Sequence, residues 1–212
     1  MIRKYRVKII WSSKFAYAIG LLATDGNLSK DGRHILFTSK DKDLPPLFNK
    51  CLDIENKITK KARGGSKIKK YYVVQFSDRN FYEYLVKIGI TPKKSKTIER
   101  VSVPRKYFRD FLRGCIDGDG SISIFNHPES KHKQLKVRLA SASQNFLLWI
   151  HKNIRNTLKT KGGYIWKDNN KNVYTLSYAK EDGGKILLFV YYSSSVPCLK
   201  RKRDIAKKLG EW

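Results

Sequence analysis

The sequence is short of acidic residues and of long apolar runs. Only 18 Asp and Glu residues accompany 45 Lys and Arg in 212 residues, which gives a net charge of +27. Self-repulsion of that size opposes a compact state unless a polyanion relieves it. No apolar run reaches the 18 residues of a membrane span and no lipidation signal occurs, so nucleic acid is favoured over an anionic membrane as the partner.

Cysteine is also scarce. Cys51, Cys115 and Cys198 are odd in number and far apart, which argues against a disulfide framework. Neither the cysteines nor the four histidines show the spacing of zinc ligands. The basic N-terminus lacks the apolar core of a signal peptide. We therefore expect a reducing intracellular location, cytoplasmic or organellar, and no secretion.

What the chain does contain is a repeat. Residues 16–26 read AYAIGLLATDG, and residues 110–120 read DFLRGCIDGDG. In both, an apolar helical run with a central glycine ends in Asp-Gly. A single Asp-Gly most simply marks a turn or the end of a helix, but the duplication favours one site assembled from two halves. An EF-hand calcium loop is excluded, because the glycine and glutamate of that pattern are missing after Asp117.

The same order of elements is predicted after each copy. The predicted helices are 13–24, 44–54 and 79–88 in the first half and 104–118, 145–158 and 180–192 in the second. Strands are predicted at 34–40 and 134–144, hairpins at 58–62 with 71–76 and at 164–166 with 173–178, and a basic helix from 199. The pattern predicts an α+β fold of two pseudo-symmetric αββαββα half-domains, 1–90 and 104–212, joined by the linker 91–103. Each half is too small for a large core, so both should pack as one unit.

The repeated helix has features that suggest chemistry. Gly20 and Gly114 lie in mid-helix, where glycine costs about 1 kcal/mol relative to alanine. This cost is explained if the two helices pack closely there, which would make Asp25 and Asp119 neighbours. Both carboxylates would face the negative end of a helix dipole and would repel each other. A divalent cation such as Mg²⁺ resolves both problems and suits phosphodiester hydrolysis.

The stretches 18–26 (AIGLLATDG) and 112–120 (LRGCIDGDG) resemble the LAGLIDADG motif of homing endonucleases. The resemblance covers most of the chain and implies a monomer with two fused halves, whose antiparallel sheets form a DNA-binding saddle. It implies hydrolysis of both strands of a long, asymmetric DNA site, leaving short 3′ overhangs, and a mobile-intron context. The implied cofactor is Mg²⁺, with Mn²⁺ substituting and Ca²⁺ supporting binding without cleavage.

The resemblance also assigns roles to individual residues. Its metal ligands are Asp25 and Asp119, with the main-chain carbonyls of Thr24 and Gly118. The first motif departs from the pattern because Ala23 stands where the second has Asp117, so the halves are unequal. The implied catalytic polar and basic positions are Lys40, Gln144, Lys94 and Lys200, where the choice of Lys200 over Arg201 and Lys202 is left open.

DNA contacts are expected on the outward side of the strands and at a basic hairpin tip. Arg138 suits guanine and Gln134 suits adenine. A solvated charged loop is the alternative for the hairpin, and the strand aromatics Tyr71, Tyr72, Tyr164, Trp166, Tyr174 and Tyr178 are more typical of packing than of base stacking. The full set of expected DNA contacts is His34, Thr38, Lys60, Lys61, Arg63, Lys67, Lys69, Gln134, Lys136, Arg138, Thr175 and Ser177.

The sequence therefore predicts a site-specific, metal-dependent DNA endonuclease. The alternative is a non-cleaving nucleic-acid binder on the same scaffold, either an intron RNA maturase or a DNA-binding regulator. The two retained acids favour the nuclease, because binding alone does not need them. A basic ribosome-associated protein is disfavoured by the repeat.

Overall fold

The computed structural model describes residues 6–62, 67–126, 133–168, 170 and 172–208. The first half contains α1 (Ser13–Asp25), β1 (Gly26–Leu28), β2 (His34–Ser39), α2 (Leu44–Leu52), β3 (Ile58–Lys61), β4 (Tyr71–Ser77) and α3 (Arg79–Lys87). The second contains α4 (Phe108–Asp119), β5 (Gly120–Asn126), β6 (Lys133–Ser141), α5 (Gln144–Leu158), β7 (Tyr164–Asp168), β8 (Val173–Ala179) and α6 (Lys180–Val190), and α7 (Lys200–Lys207) follows. The predicted α+β fold with an αββαββα order in each half is confirmed.

Each half forms one four-stranded antiparallel sheet. The strand orders are β1-β2-β4-β3 and β5-β6-β8-β7, so the two sheets have the same topology. The strands directly after each Asp-Gly, β1 and β5, were not located in the sequence. The first of them, β1, has only three residues. The predicted strand 134–144 ends earlier, at Ser141, because Ser143 caps α5 and accepts a hydrogen bond from the Phe146 amide.

The helices cover one face of each sheet and leave the other open. Buried side chains alternate along β2, where Ile35 and Phe37 face the core while His34, Leu36 and Thr38 are half-buried on the opposite face. The same alternation occurs along β6. Since α1, α2, α4, α5 and α6 pack on the core side, the opposite side is the surface available to a partner. None of the described helices is both long and apolar enough to cross a membrane.

The two halves meet through α1 and α4, as the glycine pattern predicts. A Cβ added at Gly20 would lie 2.9 Å from the Gly114 Cα and would overlap the Phe111 carbonyl oxygen. A Cβ added at Gly114 would overlap the Tyr17 carbonyl oxygen in the same way. The two backbones are therefore in direct contact, and glycine is required at both positions.

Candidate active site

The contact between α1 and α4 brings two carboxylates together at the helix ends. Asp25 is the last residue of α1, and Asp119 is the last residue of α4. Asp25 reaches across to the other helix, because a Cβ added at Gly118 would lie 2.9 Å from Asp25 Oδ2. The missing side chain of Gly118 therefore leaves the room that the Asp25 carboxylate occupies beside Asp119.

Both carboxylates line a cleft of about 280 Å³ that is built from the two halves. The second half also contributes Arg201, whose Nε donates to Asp41 Oδ2 across the cleft at 2.8 Å. A cleft lined by two acids and by basic groups can hold a phosphate group together with a cation. The other lining residues are Thr38, Ser39, Lys40, Asp41, Leu44, Tyr71, Asp117 and Gly118.

Lys94 supports the end of α1. Its side chain is only 4% exposed, and its Nζ donates to the Thr24 carbonyl oxygen at 2.9 Å. Burial lowers the pKa of Lys94 to about 8, while the charges of Asp119 and Asp25 act in the opposite direction. Lys94 thus places a positive charge near both acids and at the negative end of the α1 dipole.

Lys202 occupies the corresponding place at the end of α4. It is 3% exposed, and its Nζ donates to the carbonyl oxygens of Ile116, Asp117 and Gly120 at 2.7, 2.9 and 2.7 Å. Burial lowers its pKa to about 8, opposed first by Asp117. Lys200, the residue favoured from the sequence, is instead exposed at the start of α7. The side chain directed toward the site is therefore that of Lys202, which lies two residues further along α7 and on another face of the helix.

Replacing Lys202 should destabilise the protein, whereas the same change at Lys200 should not. Lys202→Met removes the donor shared by three carbonyls at and just after the end of α4, and we expect the free energy of unfolding to fall by about 2 kcal/mol. Lys200→Met removes the same charge from an exposed side chain and should change it by less than about 0.5 kcal/mol. Denaturant titration of both variants makes the comparison, and equal effects would contradict the assignment of Lys202.

Lys40 and Gln144, which the sequence predicted to be equivalent positions of the two halves, do not occupy equivalent places in the structure. Lys40 lines the cleft, with its Nζ 5.4 Å from the centre of the Tyr71 ring. Gly26 pairs with Phe37, and Gly120 pairs with Leu139. Counting from these pairs, the counterpart of Lys40 is Ala142.

Gln144 lies two residues further on. It is the first residue of α5, is exposed and is absent from the lining of the cleft. The structure therefore does not bring it to the site. The sequence held a signal for the correct alignment in Ser39 and Ser141, which match in both halves. Each accepts a hydrogen bond from the amide two residues later, at 3.0 Å from Asp41 and 3.1 Å from Ser143.

The donor set suits a hydrated divalent cation more than a fully enclosed one. No group of three or more His, Cys, Asp or Glu side chains arranged for a metal occurs among the described residues. Asp25 and Asp119 supply two carboxylates, and Mg²⁺ typically takes one or two carboxylates and keeps several waters. Burial of the helix end raises the pKa of Asp119, with the charges of Lys94 and Lys202 opposing that rise. The residues present therefore fit a magnesium-type ion.

Comparisons with known proteins agree with this arrangement at the level of fold. No family model and no curated protein sequence match the chain. Variants of the homing endonuclease I-DmoI superpose with a TM-score of 0.59 and 18% identity over 94% of this chain and 98% of theirs. The LAGLIDADG homing endonuclease I-LtrWI bound to its target DNA superposes with a TM-score of 0.58 and 15% identity, over 94% of this chain and 90% of that one. This chain has the LAGLIDADG fold.

The LAGLIDADG fold by itself does not determine activity. Full-length DUF199/WhiA from Thermotoga maritima also matches, with a TM-score of 0.56 and 17% identity over 96% of this chain and 62% of that one. The N-terminal LAGLIDADG domain of DUF199/WhiA also matches by itself, with a TM-score of 0.53 and 18% identity over 93% of this chain and 89% of that one. The chemistry of the present chain must therefore be argued from its own residues.

The open face of the second sheet carries four of the residues expected to contact DNA. Gln134, Lys136 and Arg138 are half-buried on β6, as is Thr175 on β8. The Lys136 Nζ lies 4.7 Å from the centre of the Phe125 ring, which supports it along the surface. These four positions are therefore on the side of the LAGLIDADG fold that no helix covers.

Ser177 corrects one expectation. It pairs with Arg138 on one side and with Tyr164 on the other, and it is only 1% exposed. Two long neighbours on the same face cover this small side chain, so it is not available to a base. Tyr164 and Trp166 are instead 55% and 41% exposed, although packing was expected for them, whereas Tyr178 is buried.

The first half contains the other seven residues expected to contact DNA. His34 is half-buried and its Nδ1 pairs with the Asp31 carboxylate, and Thr38 lines the cleft. The Lys60 Nζ lies 5.4 Å from the centre of the Tyr72 ring. The described lysines around the expected basic hairpin tip, which are Lys60, Lys61, Lys67 and Lys69, are all exposed. Arg63, also expected to contact DNA, lies outside the described residues.

Proposed function

We propose that this protein is a site-specific endonuclease that hydrolyses both strands of duplex DNA. The observation that carries the proposal is the pair of carboxylates, Asp25 and Asp119, at the ends of two helices in backbone contact. Lys94 and Lys202 hold positive charge beside both acids. Binding of DNA to an open sheet requires none of these four groups at the helix ends, whereas metal-assisted phosphodiester hydrolysis would give a role to each of them.

The chain's own residues suggest a division of labour. Asp25 and Asp119 would hold the cation, with the carbonyls of Thr24 and Gly118 as further oxygen donors. A divalent cation such as Mg²⁺ supplies Lewis-acid activation of water and neutralisation of phosphate charge when bound. Lys94 and Lys202 would offset negative charge next to the cleaved phosphate, and Lys40 would order water at the mouth of the cleft.

The two halves would act as a monomer on a long, asymmetric DNA site. Lys40 has Ala142 as its counterpart, and Asp117 has Ala23, so the two half-sites differ in both charge and shape. A protein with unequal halves has no reason to prefer a palindrome, because its pseudo-twofold axis relates different side chains. Short 3′ overhangs and a mobile-intron context remain part of the proposal on the strength of the motif.

Selection of cut sites is the experiment that tests this function. The purified protein is incubated with a randomised duplex library in Mg²⁺, and the cleaved ends are sequenced. We expect one long asymmetric consensus with cuts in both strands. Absence of cleavage in both Mg²⁺ and Mn²⁺, with the protein folded, would overturn the proposal.

Arg138 offers a test of the DNA-binding face. Arg138→Ala should weaken binding by about 1–3 kcal/mol and relax the preference at one base pair, as expected for a bidentate contact with guanine. Arg155→Ala removes the same charge from an exposed position on α5, on the helix-covered side, and should leave base preference unchanged. Competition binding with single-base variants of the target, at fixed salt, distinguishes the two. Loss of affinity without any change in preference would mean that Arg138 contacts only phosphate.

A non-cleaving binder is the second candidate, and one observation favours it. The ammonium groups of Lys94 and Lys202 already offset the charges of both acids and both helix dipoles, so the site is electrostatically tolerable without a cation. The DUF199/WhiA match also carries this fold without being described as an endonuclease. Tight binding of a structured RNA, together with failure to cut a selected DNA site, would support a maturase. Specific DNA binding without cleavage would support a regulator.

A further inference from the structure

We propose that Asp117 is a positioning residue that holds the start of α7, so that Lys202 reaches the end of α4. Asp117 has no part in the division of labour described above, and its counterpart in α1 is an alanine. The geometric part of this inference stands on contacts alone. Its consequence for catalysis rests on the proposed endonuclease function.

Asp117 is a buried carboxylate with three donors around it. It is 1% exposed, and its Oδ2 accepts hydrogen bonds from the Tyr17 hydroxyl at 2.8 Å and from the Leu199 amide at 2.7 Å. Its Oδ1 accepts from the Tyr191 hydroxyl at 2.7 Å. A buried charge is retained only when it is well hydrogen-bonded. The bond to the Leu199 amide is the one that acts on α7, because Leu199 caps that helix.

Leu199 and Lys202 lie in the first turn of α7, and both are hydrogen-bonded to Asp117 of α4. The Leu199 carbonyl accepts from the Lys202 amide at 3.0 Å, which forms the first turn of α7. The Lys202 Nζ then donates back to the Asp117 carbonyl oxygen at 2.9 Å. Asp117 therefore holds this turn at both ends, through its side chain at Leu199 and through its main chain at Lys202. A shift of Leu199 would displace the ammonium group.

A second buried side chain of α4 fixes the chain leading into α7. Arg113 is fully buried, and it donates from Nη1 to the Val190 carbonyl at 2.9 Å and from Nε to the Pro197 carbonyl at 2.8 Å. Its Nη2 pairs with Asp110 at 2.7 Å. The segment between α6 and α7 is thus attached to α4 by polar side chains at its beginning and near its end.

The first half holds its lysine, Lys94, in a different way. The residues of α1 that correspond to Arg113 and Asp117 are Ile19 and Ala23, both buried and apolar. Lys94 is held by its own main chain, since its carbonyl accepts from the Thr97 and Ile98 amides at 3.0 and 2.8 Å. Within the part of the chain that the structure describes, only the second of these two lysines is therefore held through a buried acid. The difference between Ala23 and Asp117 in the two motifs follows from this.

Lysine reactivity tests the geometry without requiring any nuclease activity. Asp117→Ala is the test variant, and Ala23 shows that alanine fits the equivalent helix position. With an amine-acylating reagent and peptide mass spectrometry, we expect the labelling rate of Lys202 to rise by about tenfold or more as its turn becomes free to open, while that of Lys94 stays unchanged. Unchanged protection of Lys202, or an equal rise at Lys94, would overturn the proposal.

Two further measurements keep the proposal testable if the alanine variant folds poorly. Asp117→Asn keeps one oxygen for the Tyr17 hydroxyl and the Leu199 amide, and its amide group can donate to the Tyr191 hydroxyl. We expect it to restore the protection of Lys202. In the unmodified protein, the Leu199 amide should exchange slowly with solvent deuterium. Fast exchange at Leu199, as in an open linker, would contradict the hydrogen bond to Asp117.

Strand-resolved cleavage tests the consequence for catalysis. On a target labelled separately on each strand, Asp117→Ala should slow the cut in one strand by about 100-fold through misplacement of Lys202. The other cut should stay near the unmodified rate, so nicked DNA accumulates. Lys202→Met should slow the same strand, and Lys94→Met should slow the opposite one. Equal slowing of both cuts by Asp117→Ala would overturn the positioning role. Failure of the unmodified protein to cut would refute the nuclease function while leaving the labelling result to decide the geometry.

Discussion

Asp25→Asn and Asp119→Asn are each expected to lower the rate of DNA cleavage by about 10³-fold, equivalent to about 4 kcal/mol of transition-state stabilisation. Each change removes one carboxylate charge from the helix ends but keeps the size and shape of the side chain. Because the open sheet faces are untouched, affinity for the selected target in Ca²⁺ should stay close to that of the unmodified protein. Initial rates of target cleavage in Mg²⁺ and equilibrium binding in Ca²⁺ measure the two quantities.

Asp53→Asn provides the matched control. Asp53 is exposed after α2 and does not line the cleft, and it adopts φ 55°, a conformation that asparagine tolerates well. This variant loses the same charge and should cut at the unmodified rate. If Asp25→Asn or Asp119→Asn cut both strands as fast as this control, the two acids would not form the catalytic centre.

Gly20→Ala and Gly114→Ala should each destabilise the fold by roughly 3 kcal/mol or more, because an added methyl group would overlap backbone and not a movable side chain. The overlap is with the Phe111 carbonyl oxygen in one case and with the Tyr17 carbonyl oxygen in the other. Separation of the helices would also pull apart the two carboxylates. Thermal and denaturant unfolding, measured together with cleavage, should show losses of both stability and activity.

Gly184→Ala is the corresponding control, and it should raise the stability of the protein and not lower it. Gly184 lies inside α6, and a Cβ added there meets no atom within 4 Å. Since alanine is favoured over glycine in a helix, this variant should be more stable by roughly 0.5–1 kcal/mol. If Gly20→Ala were as well tolerated as Gly184→Ala, the close contact between α1 and α4 would be disproved.

The repeat made most of the fold predictable from the sequence. Gly20 and Gly114 cost stability in an isolated helix, so their presence in mid-helix indicated a backbone contact, and the structure confirms it. The helix order and the two-half architecture followed because the periodicity matched on both sides of the linker. The neighbouring position of Asp25 and Asp119 then followed from geometry, since two helices in contact at equivalent glycines bring equivalent residues together.

The supporting residues were harder to predict because they depend on register and on chain paths. Lys202 could not be separated from Lys200 while the start of α7 was unknown, and a shift of two residues turns a helical side chain to another face. Gln144 was aligned with Lys40 by matching the stretches 38–41 (TSKD) and 142–145 (ASQN), whereas strand pairing assigns Ala142. The alternation along β8 places Ser177 on the open face, as predicted, but its cross-strand neighbours Arg138 and Tyr164 cover it. The sequence of a single strand does not show which residues lie opposite on the neighbouring strands.

The most direct test of the central claim is the position of the metal. Crystals of the protein with its selected DNA target and Mn²⁺ would be measured at a wavelength where manganese scatters anomalously. If Asp25 and Asp119 form one centre, an anomalous peak should lie within coordination distance of a carboxylate oxygen from each. DNA bound across both sheets without a peak between these carboxylates, or with manganese held by other residues, would contradict the account.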